Sequence, residues 1–437
     1  MGMSDERHSE AQLLSILAFL ALVALLAVAS SFFNSREITD IPKWLLSSMY
    51  LYLIFVFFRT IFHLLFSFAW VVFRPLAKTT LENYPLVSII LPCFEEEKVV
   101  EESIKSVLKM DYPNFEVIVV DDGSTDLTFA KAKEFTKDKR LRVVFQKNAG
   151  KAAALNRGLQ ESLGEYVMCM DADSRLRDNA IQQGMRHMLE NPNLAAVAGN
   201  VRVGNPNTLV GIFQKLEYVT ALNFLKLAQS FLQIVTVVPG PVGLFRKKSV
   251  ENIGGYDSST FAEDCDLTLR LLFSGFSVIY EPKMIAVTEV PEQLEQLFSQ
   301  RYRWSRGILQ AIKLNRKWLV KPFSHPRNFF IAWYMLIESA FVPTCNYVFA
   351  IATLFVALSS PTLHVIGHYF SQLVILDLVI VIYCLLSEKF SFRLLILAFF
   401  NRFTYGLALE THRFFSMIDE LLGLPMSWGK LKRKGLL

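Results

Sequence analysis

Three short acidic runs in this sequence follow one pattern. LPCFEEE (91–97), VVDDGSTD (119–126) and MDADS (170–174) each end a short apolar, β-branched stretch. Such stretches read as buried strands, and ligands of α/β sheets bind at strand carboxyl ends. Asp171 and Asp173, two residues apart, can turn their oxygens toward one hard cation. Mg2+ or Mn2+ takes carboxylate ligands and commonly bridges them to substrate phosphates. Asp121 and Asp122 suit hydrogen bonds to a base or ribose, and equally a turn with a helix cap. Lys151 follows Asn-Ala-Gly and opens a helical pattern, a position that meets phosphate or simply faces solvent. In FAEDCDLTLR (261–270), Glu263 and Asp264 precede an amphipathic pattern carrying Leu267, Leu271 and Leu272. A carboxylate there serves as a general base or as a helix cap. Upstream, VVPGPVGLFRKK (237–248) reads as a tight loop beside the site, followed by Arg246, Lys247 and Lys248.

The elements that position these groups have a clear rhythm. Strands are expected at 87–92, 116–120, 142–146, 165–170 and 195–199, with helices at 97–109, 126–138 and 150–163 between them. Alternating strand and helix, with nearly continuous apolar strands, predicts a parallel sheet covered on both faces.

On either side of this α/β region the texture is that of a membrane protein. Of 437 residues, 52% are hydrophobic and 19% charged, too apolar for an ordinary soluble chain. Residues 1–83 read as a membrane region with spans at about 11–33 and 44–73. Arg59, inside the second, is expected to face protein or a polar cavity, or else to snorkel; His63 follows one turn later. Residues 84–290 form the α/β domain, and 291–328 are amphipathic. Residues 329–437 form a second membrane region, with spans at about 329–358 and 365–386. The last stretch, about 390–422, reads as an interfacial or re-entrant helix, or as a third span. A span there would leave the basic terminal KLKRKGLL outside, against the positive-inside rule. The net charge of +5 suits a basic rim near anionic lipid and no nucleic-acid partner. The five scattered cysteines argue for a reducing compartment.

Between the two regions lies SQRYRWSRG (299–307). On a helix, Gln300, Arg303 and Gly307 share one side, with Trp304 at its edge. Leu294, Leu297, Phe298, Ile308, Leu309 and Ile312 make an apolar stripe opposite, expected to rest on lipid or on membrane helices. The positive-inside tendency accounts for Arg301 and Arg306.

The ordered set PCFEEE, DDGSTD, NAGKAAALN, DAD, PGPVGLFR, ED and QRYRW resembles the membrane-embedded processive family-2 glycosyltransferases: cellulose, chitin, hyaluronan and poly-N-acetylglucosamine synthases. The resemblance covers residues 84 to about 315. In size and layout it is nearest to the poly-β-1,6-N-acetylglucosamine synthases. It implies a Rossmann-like glycosyltransferase-A domain on the cytosolic side, inserted between transmembrane helices of the cell membrane. It also implies an enzyme, a UDP-sugar-dependent hexosyltransferase, that elongates a β-linked polysaccharide by inverting displacement and passes it across the membrane.

By the same resemblance, Glu96 and Asp122 hold the uridine and Lys151 lines its pocket. Asp171 and Asp173 hold Mg2+ or Mn2+, Asp264 beside Glu263 is the base, and Gln300, Arg303 and Trp304 form the QxxRW motif. Expected partners are the UDP-sugar, the growing polysaccharide, the bilayer and accessory subunits of an exopolysaccharide secretion complex. N-acetylglucosamine is the first choice of sugar and glucose the second, with chitin-like or hyaluronan-like polymers as alternatives. Two positions depart from the pattern: Ala262 stands where a Thr is usual, and Glu95 where an Asn is usual. A non-processive transferase with a lipid-phosphate acceptor shares DDGSTD and the DxD but usually lacks QxxRW. A catalytically dead scaffold would have lost Asp264, the DxD or Trp304, and all are present.

Overall fold

The computed structural model describes residues 43–73, 81, 83–359, 363–388, 391, 393–426 and 435. The span expected at 11–33 and most of the terminal basic run lie outside them. Eight strands form one sheet: β1 (Val87–Cys93), β2 (Phe115–Asp121), β3 (Leu141–Phe145), β4 (Tyr166–Cys169), β5 (Ser174–Leu176), β6 (Leu194–Val203), β7 (Gly243–Arg246) and β8 (Ser277–Thr288). Their order across the sheet is β3-β2-β1-β4-β7-β6-β8-β5.

The first half matches the expected rhythm. β1 pairs in parallel with β2 and β4, and β2 with β3. Every residue of β2 is buried, as a strand covered on both faces requires. The register runs from Val87 opposite Phe115 to Cys93 opposite Asp121. The first two acidic motifs therefore leave the sheet side by side.

The second half departs from the expected parallel sheet. β7 runs antiparallel to β4 and β6, and β5 antiparallel to β8, which makes the sheet mixed. The stretch read as loop at 243–246 is β7, too short and too close to Gly-Pro to be recognised by pattern. β8 hides for another reason. It contains Pro282, which cannot donate to a ladder, and the β6–β8 register shifts at Gly199/Asn200.

Among the described residues three helices are long and apolar enough to cross a membrane: Lys43–Phe73, Pro326–Phe355 and Gly367–Ser387. The second is interrupted by a π-helical turn, Ile337–Phe341, which carries Glu338. Arg59 faces protein and donates from Nε and Nη2 to the two carboxylate oxygens of Glu338, the Nε bond at 2.7 Å. His63 Nε2 lies 2.9 Å from the Tyr334 hydroxyl. Asp377 takes two bonds from Arg402, at 2.7 and 2.8 Å. Charges inside apolar helices persist when paired in this way. Residues 394–421 form two helices, Leu394–Asn401 and Tyr405–Leu421, each shorter than the roughly 20 residues a span needs.

Candidate active site

Lys151 opens the helix Lys151–Glu161. The loop before it is held by Asp122, whose carboxylate accepts from Gln146 Nε2 at 2.7 Å, the Ala149 amide at 2.9 Å and the Gly150 amide at 2.8 Å. Asp122 thus lies behind the loop and sets where Lys151 begins. From there the Lys151 ammonium reaches Asp171 Oδ1 at 2.6 Å and Glu263 Oε1 at 3.1 Å. Burial opposes its charge, but Asp171, Glu263 and Asp264 outweigh burial and hold its pKa well above the ordinary range. The first helical turn of 151–161, the end of β4 and the start of the helix Glu263–Phe273 converge on this point.

Asp264 follows Glu263 at the start of that helix. Burial first, then the Glu263 charge, push its carboxyl up to about 6, against Lys151 and the Cys265 amide. A carboxylate poised near neutrality suits a general base. Asp173 is nearly buried, and its Oδ1 accepts from Ser174 Oγ at 3.1 Å and Thr288 Oγ1 at 3.3 Å. Gly240 of the Pro-Gly-Pro loop closes the pocket, where a Cβ would lie 2.8 Å from Asp171 Oδ2 and 2.9 Å from Lys151 Nζ. Asp171 and Asp173 supply hard oxygen donors, and the missing Cβ keeps space free beside Asp171, so the residues fit a divalent cation. Among the described residues no group of three or more His, Cys, Asp or Glu is preassembled for a metal. Such a cation would share its coordination with substrate.

The first motif is tied to the second by its backbone. The Glu96 amide donates to Thr128 Oγ1 at 2.7 Å, and the Glu95 amide to Ser124 Oγ at 2.8 Å. Glu96 is partly buried and Glu95 exposed at the mouth of this crevice.

The QxxRW motif lies on the helix Leu294–Leu314. Here one expectation needs correction. Arg301 and Arg306 are buried, not spread at a membrane surface. Arg301 donates to both oxygens of Glu217, at 3.1 and 2.7 Å, and Arg306 to Glu420 at 2.9 Å. The apolar stripe rests on protein, largely on the helix Tyr405–Leu421 of the C-terminal region: Leu297 is buried with Phe213, Tyr405 and Leu409, and Phe298 stacks on His412. Gln300 accepts from Arg301, whose guanidinium lies 4.2 Å from the Trp304 ring centroid. Arg303 is partly exposed on the same helix.

This helix also braces the base. The Phe261 amide donates to Gln310 Oε1 at 3.2 Å, and Thr260 Oγ1 to the Gly307 carbonyl at 3.2 Å. At Gly307 a Cβ would lie 2.6 Å from the Ala262 nitrogen. The two segments are in direct backbone contact.

Trp304, Ser305 and Ile308 face a cavity of about 700 Å³ that continues between the long apolar helices past Tyr334, Glu338 and Asp377. Glu338 and Asp377 thus both line the cavity and bond between helices. Thr236 and Val237 border this cavity, while Val238, Pro239 and Gly240 border the Lys151–Asp171 pocket. One loop is the partition between them. The sequence reading missed Glu217, Gly240, Thr288 and Lys226. Only Gly240, inside Pro-Gly-Pro, offered a local signal.

Residues 88–254 match the family model described as Glycosyl transferase family 2. Over those residues, less than half of the chain, it is similar to that family. Over 233 residues the chain is 34% identical to a poly-beta-1,6-N-acetyl-D-glucosamine synthase of Staphylococcus epidermidis, covering 53% of this chain and 57% of that one. A synthase of the same name from Staphylococcus aureus (strain COL) is 33% identical over 224 residues, covering 51% and 54%. The chain therefore spans little more than half the length of these relatives. A mannosyltransferase from Pyrobaculum calidifontis, solved with GDP-Man and Mn2+, superposes with a TM-score of 0.61 at 18% identity. It covers 93% of this chain and all of that one, so the α/β domain and its flanking helices share that overall fold.

Proposed function

We propose that this chain is a processive inverting glycosyltransferase. It would polymerise a β-linked polysaccharide from a UDP-sugar, with UDP-N-acetylglucosamine the first choice, and pass the product across the cell membrane. The observation that best supports this reading is the cavity running from Trp304 into the membrane helices, separated from the Asp264 pocket by the loop 236–240 alone. A one-step transferase has no need of such a path.

In this mechanism Lys151 sits beside the donor diphosphate and neutralises charge as UDP departs. Asp171 and Asp173 would hold Mg2+ or Mn2+, which supplies further stabilisation of the leaving diphosphate. Asp264 takes the proton of the acceptor hydroxyl as that oxygen forms its bond to the anomeric carbon. The bond to UDP breaks on the opposite face, and the configuration inverts. Glu96 and Asp122 shape the nucleotide end, while Gln300, Arg303 and Trp304 meet the acceptor and diphosphate, the indole stacking on the terminal sugar. The domain lies on the cytoplasmic side, where UDP-sugars are made. The helices at 394–421 are interfacial, and accessory subunits of an exopolysaccharide secretion complex are its further partners.

The test is to supply purified protein in lipid with Mg2+ or Mn2+ and one UDP-sugar at a time, then digest the product with linkage-specific hydrolases. UDP release with a hydrolase-sensitive β-polymer supports the reading. No UDP release from any donor overturns it.

A further inference from the structure

The charges lining the cavity are almost all neutralised. Arg59 pairs with Glu338, Arg301 with Glu217, Arg402 with Asp377, and Arg413 with Glu217 and Glu410. Lys226 is the exception. It lies on the helix Phe224–Phe231, is only 7% exposed, and lines the same cavity. Among the described residues its ammonium has neither a carboxylate within ion-pair distance nor a hydrogen-bond acceptor. It lies over the face of Tyr280, 5.7 Å from the ring centroid.

A buried ammonium without a partner is costly, and cores retain such groups when a ligand completes them. The Asp264 and Glu388 charges favour its protonated form. Burial outweighs them and lowers its pKa to about 8, so most of the population still carries a proton at neutral pH. Lys226 borders the cavity and not the pocket of Lys151, Asp171 and Gly240. It therefore faces the acceptor side of the loop 236–240.

We infer that Lys226 binds the acceptor saccharide, donating from its ammonium to a hydroxyl or acetamido carbonyl oxygen of the terminal sugar while Asp264 holds the attacking hydroxyl. This rests on the proposed polymerase reading and adds a binding group that none of the motifs contains. The ligand is a neutral, oxygen-rich chain, as suits a cavity whose other charges cancel. A single unpaired donor orients such a chain without gripping it, and the chain must move on after each addition.

The experiment uses the full chain in lipid nanodiscs with UDP-N-acetylglucosamine. Three quantities are read: product length on a gel, UDP released per sugar incorporated, and UDP affinity by calorimetry. Lys226→Met is expected to shorten products by at least about tenfold, the size of a lost charged hydrogen bond, and to raise the ratio of UDP released to sugar incorporated. UDP affinity should stay within about twofold of wild type, on the same scale. Lys226→Arg, which keeps a buried cation, should recover most of the length. Thermal midpoints of both variants identify any loss of fold, and the arginine variant remains informative should the methionine variant unfold. Unchanged product length in Lys226→Met overturns the inference. So does a parallel fall in UDP affinity, which would make the donor diphosphate the ligand. A failure of the polymerase reading itself looks different: the wild-type chain then makes no polymer.

Discussion

Arg301 and Glu217 form a two-bonded ion pair inside the protein, although 84 residues separate them. The Tyr405 hydroxyl donates to the same carboxylate at 2.6 Å, and the guanidinium lies against Trp304. The pair therefore joins the helix Leu209–Glu217, the QxxRW helix and the helix Tyr405–Leu421 around the indole. Removing one partner leaves the other charge buried and uncompensated, at a cost of roughly 3–5 kcal/mol. Glu217→Ala is expected to lose that much stability in denaturant titrations of the solubilised protein. Glu217→Gln, which can still accept one bond from Arg301, should lose clearly less.

Gly240 tests the closeness of the pocket. An added Cβ would crowd Asp171 Oδ2 and Lys151 Nζ, the far ends of side chains that can swing away. Gly240→Ala should leave the thermal midpoint almost unchanged. UDP-sugar turnover should nevertheless fall by roughly 100-fold, the effect expected when reacting groups shift by about 1 Å. Normal turnover in this variant would show that the Lys151–Asp171 geometry is not the working one.

At Gly307 the neighbour is backbone, so nothing yields cheaply. Gly307→Ala should push the QxxRW helix away from Ala262, costing about 1–3 kcal/mol as overpacking does. Because residues 260–262 lead directly into Glu263 and Asp264, turnover should fall together with stability. Paired melting and UDP-release assays measure both.

How much of this could be read from the sequence differs from element to element. β1, β2 and β4 were legible because each is a short apolar run ended by a motif, and burial on both faces imposes that pattern. Asp171 follows from placing its motif at a strand end, whereas Lys151 and Glu263 each open a helix, and their meeting with Asp171 is a product of tertiary packing. β7 is illegible because its four residues carry no usable period, and Pro282 disguises β8. The positive-inside tendency is all the sequence offers for Arg301 and Arg306, because their partners, Glu217 and Glu420, lie 84 and 114 residues away. Periodicity sees neighbours along a helix and not pairs brought together by tertiary packing. Lys226 was silent for the same reason: its significance lies in a partner that it lacks.

The acid limb of the rate profile should report Asp264. Its carboxyl is pushed up to about 6, and the proton-accepting form exists above that value. Turnover should therefore be full above pH 7 and fall as pH drops through about 6, approaching a tenfold loss per unit. Asp264→Asn should abolish UDP release linked to polymer growth while UDP still binds in calorimetry. Loss of UDP binding in that variant would assign the residue a structural role.

Processivity is the central claim, and product length at very low donor conversion tests it most directly. The full chain in lipid is given labelled UDP-N-acetylglucosamine and stopped after a few per cent of the donor is consumed, and the products are resolved by size. Retention of the polymer in the cavity beyond Trp304 requires long chains at the earliest times, with most of the donor untouched. Single additions to lipid, or oligomers that lengthen together as conversion rises, would contradict it.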